Sequence, residues 1–397
     1  MTRTPLTICF ICDEWFPARG GISAFNRSLA VGFAERGDTV LCLVEQAMEV
    51  ERADAARHGV RLFTADHTPA GPNLHLPVIE VLVQQADVIV GHDRVTGHIA
   101  WLYARKFGTA ALVHLVHTAP AEIEPYKGSA DAAARVEARE AYTADLAGQA
   151  DVVAGVGPRL TRYATHLLDD GYGGRNVLRL DPGLDPDPLD RVRQIPVRPN
   201  VMVLGRTGDL ELKGLDIAAG AVAALQARPD RPAPVLFVRG APAEQCEQVR
   251  AALTGLSGLA RGRVDVRPFC QDGMAVRRDL RRAALCLMPS RAEGFGLAAW
   301  EALAVGTPIL VSAHSGLAEL LREYLGSAAD NMIVDITDDP GRDARKWSQA
   351  VQRVLDDLPT AFAETHRIQQ LLLGRFSWSE TVARLGTAIR TECGLAT

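Results

Sequence analysis

Residues 290–312, SRAEGFGLAAWEALAVGTPILVS, contain a strand-to-helix junction built around a glycine turn. The run ALCLM at 284–288 predicts a buried strand, residues 289–296 predict a turn, and residues 297–305 predict a helix that stops at Gly306 and Pro308. At such a junction the unpaired N–H groups of the first helical turn and the positive end of the helix dipole face the space above the turn. The pattern therefore indicates an anion site.

Two carboxylates accompany this turn. Glu293 lies within it, and Glu301 follows after seven intervening residues, about one turn into the predicted helix. Carboxylates beside a phosphate-binding turn predict a ligand that offers phosphates and hydroxyls together.

The bulk composition describes a folded protein of two domains. At 397 residues the chain is too long for one ordinary core, and 47% hydrophobic with 23% charged residues is typical of a well-packed protein. A formal charge of −5 argues against a nucleic-acid partner, and the arginines at 135–139 and 277–282 are expected on solvated helix surfaces. The opening MTRTPLTICFIC is too short to span a bilayer and does not resemble a signal peptide, so we expect a cytoplasmic protein with at most peripheral membrane contact.

Seven cysteines are present, several of them on predicted strands. Cys9 and Cys12 form a Cys-x-x-Cys, but no second pair completes a zinc site and a strand would point the two side chains to opposite faces. We expect small buried thiols and no metal.

Apolar runs alternate with helical stretches along nearly the whole chain. Near-continuous apolar strands are typical of a parallel sheet with helices on both faces. In the first half the predicted strands are 7–12, 39–44, 87–91, 111–116 and 151–156; in the second half they are 201–204, 235–238, 264–266, 284–288 and 308–311. A proline-rich segment within 181–200 separates the halves, so the chain predicts two Rossmann-like, doubly wound α/β domains facing each other across a cleft.

Ligands of such sheets bind beyond the carboxyl ends of the strands, which directs attention to the loops there. After the first strand, Gly20-Gly21 opens a helix, which suits close approach of backbone to a ligand or is a simple turn; it lacks the Gly-x-Gly-x-x-Gly of a dinucleotide fold. In VMVLGRTGDLELKGLDIAA, Arg206 follows a strand and Lys213 precedes a helix, a suitable pair for a diphosphate. His117 lies past a strand end, whereas strand alternation buries His114.

These motifs together resemble the family 4 glycosyltransferases of the GT-B fold, which are retaining and use nucleotide sugars. The resemblance rests on WFPARGG, PGLD at 182–185, GRTGDLELKG, MPSRAEGFGLAAWEALAVGTPIL with its E-x7-E pattern, and FSWSETVARL near the end. It implies an N-terminal acceptor-binding domain at 1–185, a linker at 186–199, a nucleotide-sugar-binding domain at 200–376 and a C-terminal helix at 377–397 that crosses back to the N-terminal domain.

The resemblance also implies residue roles. Arg206 and Lys213 match the pair that grips the donor diphosphate, Glu293 the glutamate beside the donor sugar, and Glu301 the one that binds the ribose hydroxyls. His117 resembles the histidine near the hydroxyls of the transferred sugar. The remaining donor-binding positions that it implies are Gly20, Gly21, Gly294, Phe295, Gly296, Leu297, Arg239 and Phe269.

Three positions depart from the family pattern. Arg239-Gly240-Ala241-Pro242 replaces a glycine-rich turn, Cys270 stands where glycine is frequent, and REYLGSAADN at 322–331 replaces a short Asp-Gly turn. The base of the donor therefore stays open between UDP and GDP. Asp185-Pro186-Asp187 is an Asp-x-Asp, but in a proline-rich segment it is typical of turn chemistry, so we expect no metal.

The expected reaction is glycosyl transfer with retention, in which Arg206 and Lys213 stabilise the departing phosphate. The acceptor stays unknown and could be a small molecule, natural product, glycan or protein. Two alternatives remain: a sugar phosphorylase or synthase on the same fold, and a non-catalytic sensor of nucleotide sugars.

Overall fold

The computed structural model describes residues 4–17, 20–69, 71–75, 85–108, 110–128, 131–169, 174–185, 194–228, 232–337 and 339–394. These residues form two compact units. The first unit takes its described residues from 1–121, 133–183 and 377–397, and the second from 122–132 and 184–376. Residues 186–193 of the predicted linker, including Asp187 of the Asp-x-Asp, lie outside the described residues.

The first unit contains a parallel sheet of seven strands in the order β3-β2-β1-β6-β7-β8-β9, with a separate β4-β5 hairpin. Its strands are β1 Thr7–Ile11, β2 Thr39–Val44, β3 Val60–Thr64, β4 Asp66–Thr68, β5 Gly71–Asn73, β6 Val88–His92, β7 Ala111–Val116, β8 Val152–Val156 and β9 Val177–Leu180. Its helices are α1 Gly21–Glu35, α2 Glu49–Arg57, α3 Asp93–Phe107, α5 Ala132–Gly148 and α6 Gly157–Asp169. The short helix α4 Pro120–Ile123 spans the boundary between the two units, and the 3₁₀ turn at Glu124–Lys127 belongs to the second.

The second unit contains a parallel sheet of six strands in the order β12-β11-β10-β13-β14-β15. Its strands are β10 Asn200–Leu204, β11 Val235–Ala241, β12 Val264–Pro268, β13 Leu285–Met288, β14 Ile309–Ser312 and β15 Ile333–Val334. Its helices are α7 Leu215–Ala223, α8 Cys246–Ser257, α9 Gly273–Arg282, α10 Leu297–Ala304, α11 Gly316–Leu325, α12 Pro340–Asp356 and α13 Leu358–Leu373. Short 3₁₀ turns cover Ala243–Gln245, Arg261–Arg263 and Gly326–Met332, the last where the sequence departs from the family pattern.

Each sheet is buried on both faces. Almost no residue is exposed in the interior strands β1, β6, β8 and β13. Burial of this kind is expected where helices cover a parallel sheet, and it explains why the strands read as continuous apolar runs. The predicted two Rossmann-like domains are confirmed.

The last helix, α14 Trp378–Glu392, packs within the first unit. It lies against α1, where a Cβ on Gly32 would come within 2.7 Å of Val382, and Arg36 donates a 2.7 Å hydrogen bond to the carbonyl of Val382. Thr381 donates to the carbonyl of Asp181 at 2.7 Å. The C-terminal segment therefore completes the core of the unit that begins the chain.

Candidate active site

The glycine turn after β13 has the geometry that the sequence predicts. Gly296 caps α10 with φ of 114°, a left-handed conformation that favours glycine, and a Cβ there would lie 2.5 Å from the methyl carbon of Met288. The first N–H groups of α10 have no partner within the helix, because the intrahelical bonds start with Trp300 donating to Gly296. The start of this helix is available to an anion.

The turn is tied to the loop that follows β14. Glu293 donates its N–H to the carbonyl of His314 at 3.0 Å and accepts from the N–H of Gly316 at 3.2 Å, while Leu317 donates to Phe295 at 2.7 Å. A Cβ on Gly316 would come within 2.3 Å of the carbonyl of Gly294. These bonds fasten the glycine turn to the loop that follows β14.

Lys213 and Glu293 lie in direct contact. The ammonium of Lys213 is 2.7 Å from Oε2 of Glu293, and the hydroxyl of Ser290 donates to the same oxygen at 3.1 Å. Both charged side chains remain partly exposed. The structure therefore brings together a cation suited to phosphate and a carboxylate suited to hydroxyls, next to the amides of α10.

Arg291, which the sequence reasoning missed, fastens the lysine loop to this turn. Its guanidinium forms two hydrogen bonds with Asp216, at 2.9 and 2.7 Å, and donates to the carbonyl of Glu211, while its N–H donates to Leu212 at 2.9 Å. The ion pair with Asp216 raises the pKa of Arg291, so the guanidinium stays charged. A bidentate pair of this kind fixes direction as well as distance. Lys213, between two anchored segments, is thereby aimed at Glu293.

The two arginines of the prediction, Arg206 and Arg239, lie in different surroundings. Arg206 follows β10 with an exposed side chain that makes no hydrogen bond or ion pair with the described residues, so its guanidinium is available to a ligand. Arg239 lies at the end of β11, which continues to Ala241, and its buried guanidinium pairs with Asp279 and donates to the carbonyl of Pro268 at 3.0 Å. These internal contacts occupy the guanidinium, and its role toward the donor stays a prediction. Phe269, half-buried, donates its N–H to Ala241 at 2.8 Å.

Glu301 lies in α10, one helical turn beyond the glycine turn. Burial raises its pKa to about 7; Arg277 lowers it, and Asp185 raises it. Arg277 also lies 3.6 Å from Asp185. This carboxyl is therefore poised between its neutral and charged forms near neutral pH.

In the first unit, Gly20 is the N-cap of α1 and has φ of 146°, which favours glycine. Residues 18 and 19 of the same loop lie outside the described residues. Ser23 lies 2.9 Å from a carboxylate oxygen of Glu14, and α2 holds the preceding residues because Glu51 accepts the N–H of Phe16 at 3.0 Å. The loop is therefore anchored on both sides of its glycines.

His117 is the end of a chain of buried polar groups. Its Nε2 lies 2.9 Å from Nδ1 of His92, whose Nε2 lies 2.8 Å from Oδ1 of Asn26. The pKa of His117 is lowered to about 3 by burial and by His114. His114 itself packs against Gly97 inside the sheet, as strand alternation predicts, and burial lowers its pKa to about 4. The sequence analysis assigned no role to His92 or to Asn26.

Among the described residues no group of three or more His, Cys, Asp or Glu side chains is arranged to hold a metal ion. Cys9 and Cys12 are buried free thiols, and burial raises the pKa of both. Within the same part of the chain, no helix is both long and apolar enough to cross a membrane.

Two Rossmann-like sheets, with an E-x7-E turn at one of them, define a glycosyltransferase of the GT-B fold. Solved structures agree: sucrose-phosphate synthase from Thermosynechococcus elongatus superposes with a TM-score of 0.72 at 20% identity, covering 98% of this chain and 100% of that one. Anabaena HepE in complex with UDP-glucose gives a TM-score of 0.71 at 14% identity, covering 97% of this chain and 100% of that one.

A family model described as "Family 4 Glycosyltransferase in conflict systems" matches residues 9–385, so the chain belongs to that family. A D-inositol 3-phosphate glycosyltransferase from Geodermatophilus obscurus is 31% identical over 326 residues, which cover 76% of this chain and 66% of the relative. One from Corynebacterium urealyticum is 27% identical over 310 residues, which cover 75% of this chain and 70% of the relative. The match with the first of these relatives spans just under two thirds of that protein.

Proposed function

We propose that the protein is a retaining glycosyltransferase that moves a sugar from a nucleotide diphosphate sugar to a hydroxyl or similar nucleophile of an acceptor. The observation that carries the proposal is the 2.7 Å contact between Lys213 and Glu293 beside the start of α10. A lysine and unpaired amides suit a diphosphate, and the neighbouring carboxylate suits sugar hydroxyls. Family membership supports the same reaction class.

The proposed roles follow from chemistry and position. Arg206 and Lys213 hold the diphosphate, with the turn from Gly294 to Leu297 supplying amides, and Gly20-Gly21 lies against phosphate or acceptor. Glu293 accepts hydrogen bonds from the sugar, and Glu301 from the ribose. His117 accepts a hydrogen bond from another hydroxyl of the transferred sugar.

In the proposed reaction the bond between sugar C1 and the phosphate oxygen breaks while the acceptor oxygen bonds to C1 on the same face. The departing phosphate oxygen takes the proton of the acceptor, so the products are the glycosylated acceptor and a nucleoside diphosphate. Negative charge grows on the phosphate during this step, and the two cations Arg206 and Lys213 stabilise it without a metal ion. We assign no side chain as a covalent nucleophile.

For the donor we propose a UDP- or GDP-sugar. One solved structure with this fold was obtained with UDP-glucose, which makes UDP-sugars the first to test. Because the relatives are named D-inositol 3-phosphate glycosyltransferases, D-inositol 3-phosphate is the first acceptor to test.

The test is nucleotide release by variants of the two cations. Arg206→Ala and Lys213→Ala should each lower turnover about 100-fold, the loss expected when one group that stabilises transition-state charge is removed. Arg228→Ala is the matched control, because this exposed arginine of the same unit forms its one ion pair among the described residues with Asp356, at the surface. Unchanged turnover in a folded Arg206→Ala or Lys213→Ala protein would remove that residue from the mechanism.

A further inference from the structure

We infer that Asn26 and His92 are positioning residues that fix the tautomer of His117, so that its Nε2 carries the proton and its Nδ1 presents a lone pair. The three side chains form one line of contacts, from Asn26 Oδ1 to His92 Nε2 at 2.8 Å and from His92 Nδ1 to His117 Nε2 at 2.9 Å. The inference about free His117 stands on this geometry alone; its use toward a sugar rests on the proposed function.

The direction of the line follows from donor and acceptor counting. An amide oxygen only accepts, so His92 Nε2 must carry a proton; a neutral ring has one N–H, so His92 Nδ1 must accept. The nitrogen facing it, His117 Nε2, must then donate. One amide oxygen two side chains away thus sets the tautomer of His117.

The orientation of the Asn26 amide is fixed by its other end. Asn26 Nδ2 lies 3.6 Å from the sulfur of Cys42, a weak acceptor that a protein N–H can face. The reverse orientation would leave the amide oxygen with only a thiol as donor, and S–H is a weak donor. Burial raises the pKa of Cys42 to about 12, so the sulfur stays a thiol.

Both positioning side chains are completely buried and held from several sides. The backbone N–H of His92 donates to the hydroxyl of Thr96 at 3.0 Å, and that hydroxyl donates to the backbone carbonyl of Ile11 at 2.6 Å. His117 packs edge-on against Phe25, which packs in turn against Trp378 of the last helix. The ring of His117 is therefore fixed in place as well as in tautomer.

The histidines stay neutral, as the counting requires. Burial, together with His117 and His114, lowers the pKa of His92 well below its ordinary value, and burial and His114 lower that of His117. His117 Nδ1 has no hydrogen-bond partner among the described residues. A lone pair fixed in this way accepts from a sugar hydroxyl and discriminates against a sugar that has no donor at that position.

The first experiment reads the tautomer directly in the free protein. Long-range ¹H–¹⁵N correlation spectra of ¹⁵N-histidine protein separate protonated from lone-pair ring nitrogens, and His117→Gln assigns the signals. Wild type should show His117 protonated at Nε2. His92→Asn, whose neutral amide oxygen keeps an acceptor for His117, should retain that tautomer; Asn26→Leu, which removes the acceptor that orients His92, should give a mixture or the Nδ1–H form. Wild-type His117 protonated at Nδ1, or no difference between His92→Asn and Asn26→Leu, would overturn the inference.

The control for general destabilisation is Thr143→Val, which removes a buried hydroxyl bonded to the carbonyl of Arg139 in the same unit. It should leave the His117 spectrum unchanged, and a change as large as that of Asn26→Leu would assign the effect to loosened packing instead. Should Asn26→Leu not fold, His92→Leu takes its place. His92→Asn has an amide oxygen that still accepts from His117 and His92→Leu has none, so these two variants give the same comparison.

A kinetic arm separates this inference from the proposed function. With a donor that is turned over, Asn26→Leu should lower kcat/KM about tenfold, the scale of one hydrogen bond, while His92→Asn stays near wild type. A monodeoxy donor that lacks the contacted hydroxyl should be insensitive to Asn26→Leu, and equal sensitivity for every monodeoxy donor would refute the hydroxyl contact. If no nucleotide sugar is turned over, the proposed function fails while the spectra still decide the tautomer.

Discussion

Replacing Gly214 by alanine probes how the lysine loop is seated on the donor turn. Gly214 is the N-cap of α7 with φ of 63° and ψ of 29°, in the left-handed region. A Cβ at this position would lie 1.8 Å from the carbonyl oxygen of Pro289, whereas real Cβ atoms essentially never come closer than 3.0 Å to another atom. Loop and turn would have to separate by at least 1.2 Å, the difference between these two distances.

The expected cost has two parts. A left-handed alanine costs about 1–2 kcal/mol, and forcing extra volume into a packed contact costs about 1–3 kcal/mol. Together they predict a loss of about 2–5 kcal/mol, or roughly 4–20 °C in the melting temperature of a unit of this size. Separation of the loop from the turn should also part Lys213 from Glu293, so nucleotide binding should weaken.

Differential scanning fluorimetry, with and without nucleotide sugar, measures both effects. Gly208→Ala is the matched control, because a Cβ added to this glycine of the same loop would meet no atom within 4 Å, and its backbone is not in the left-handed region. It should change stability by less than about 0.5 kcal/mol. Melting of Gly214→Ala within error of Gly208→Ala would refute the proposed seating of the loop.

Three further predictions concern the charged groups. Because the pKa of Glu301 is raised from 4.5 to about 7, the folded state holds this proton more tightly and loses stability as pH rises from 4.5 to 7. Glu301→Gln should remove up to about 3 kcal/mol of this loss, measured by denaturant unfolding at pH 5 and pH 8. The same loss of unfolding free energy between these pH values in both proteins would contradict the raised pKa. The pKa of His117 is lowered from 6.5 to about 3, so its contribution is present above pH 6.5 and is lost as pH falls toward 3; His117→Gln should flatten that acid loss, and an unchanged acid slope would contradict the burial of a neutral ring. Arg291→Lys keeps the charge but loses the fork toward Asp216, so nucleotide affinity in calorimetry should fall about tenfold, whereas wild-type affinity would show that the fork does not aim Lys213.

Most of the strands could be predicted because they are interior. Those buried on both faces are continuous apolar runs, and their predicted bounds differ from the observed ones by few residues, as for β1 and β8. The parallel strands missed were β3, β9 and β15, and each lies at an edge of its sheet. The partly exposed edge strands β3 and β9 admit polar residues such as Arg61 and Arg179, which break the apolar run, and β15 has only two residues, too few to form a recognisable run.

The site divides in the same way. The glycine turn and the spacing of Glu293 and Glu301 are local in sequence, so a strand, a turn and a helix suffice to predict their placement. The burial of Arg239 could not be predicted, because it depends on Asp279, forty residues further on, and on the extension of β11 through a bulge. Arg291 with Asp216 and His92 with Asn26 are likewise pairs that only tertiary packing brings together.

The most direct test of glycosyl transfer from a nucleotide sugar uses a panel of UDP-, GDP-, ADP- and TDP-sugars, with and without chelator. Nucleotide release and the melting temperature of the protein are measured for each mixture. A ligand that binds only the folded protein raises its melting temperature, so the base is read out before an acceptor is known. We expect that one nucleotide sugar stabilises the protein and is slowly cleaved, and that chelator changes neither result. Lys213→Ala should lose both the stabilisation and the cleavage. Stabilisation by none of them would contradict the assignment of Arg206, Lys213 and the two glutamates, and loss of cleavage on adding chelator would contradict metal-free catalysis.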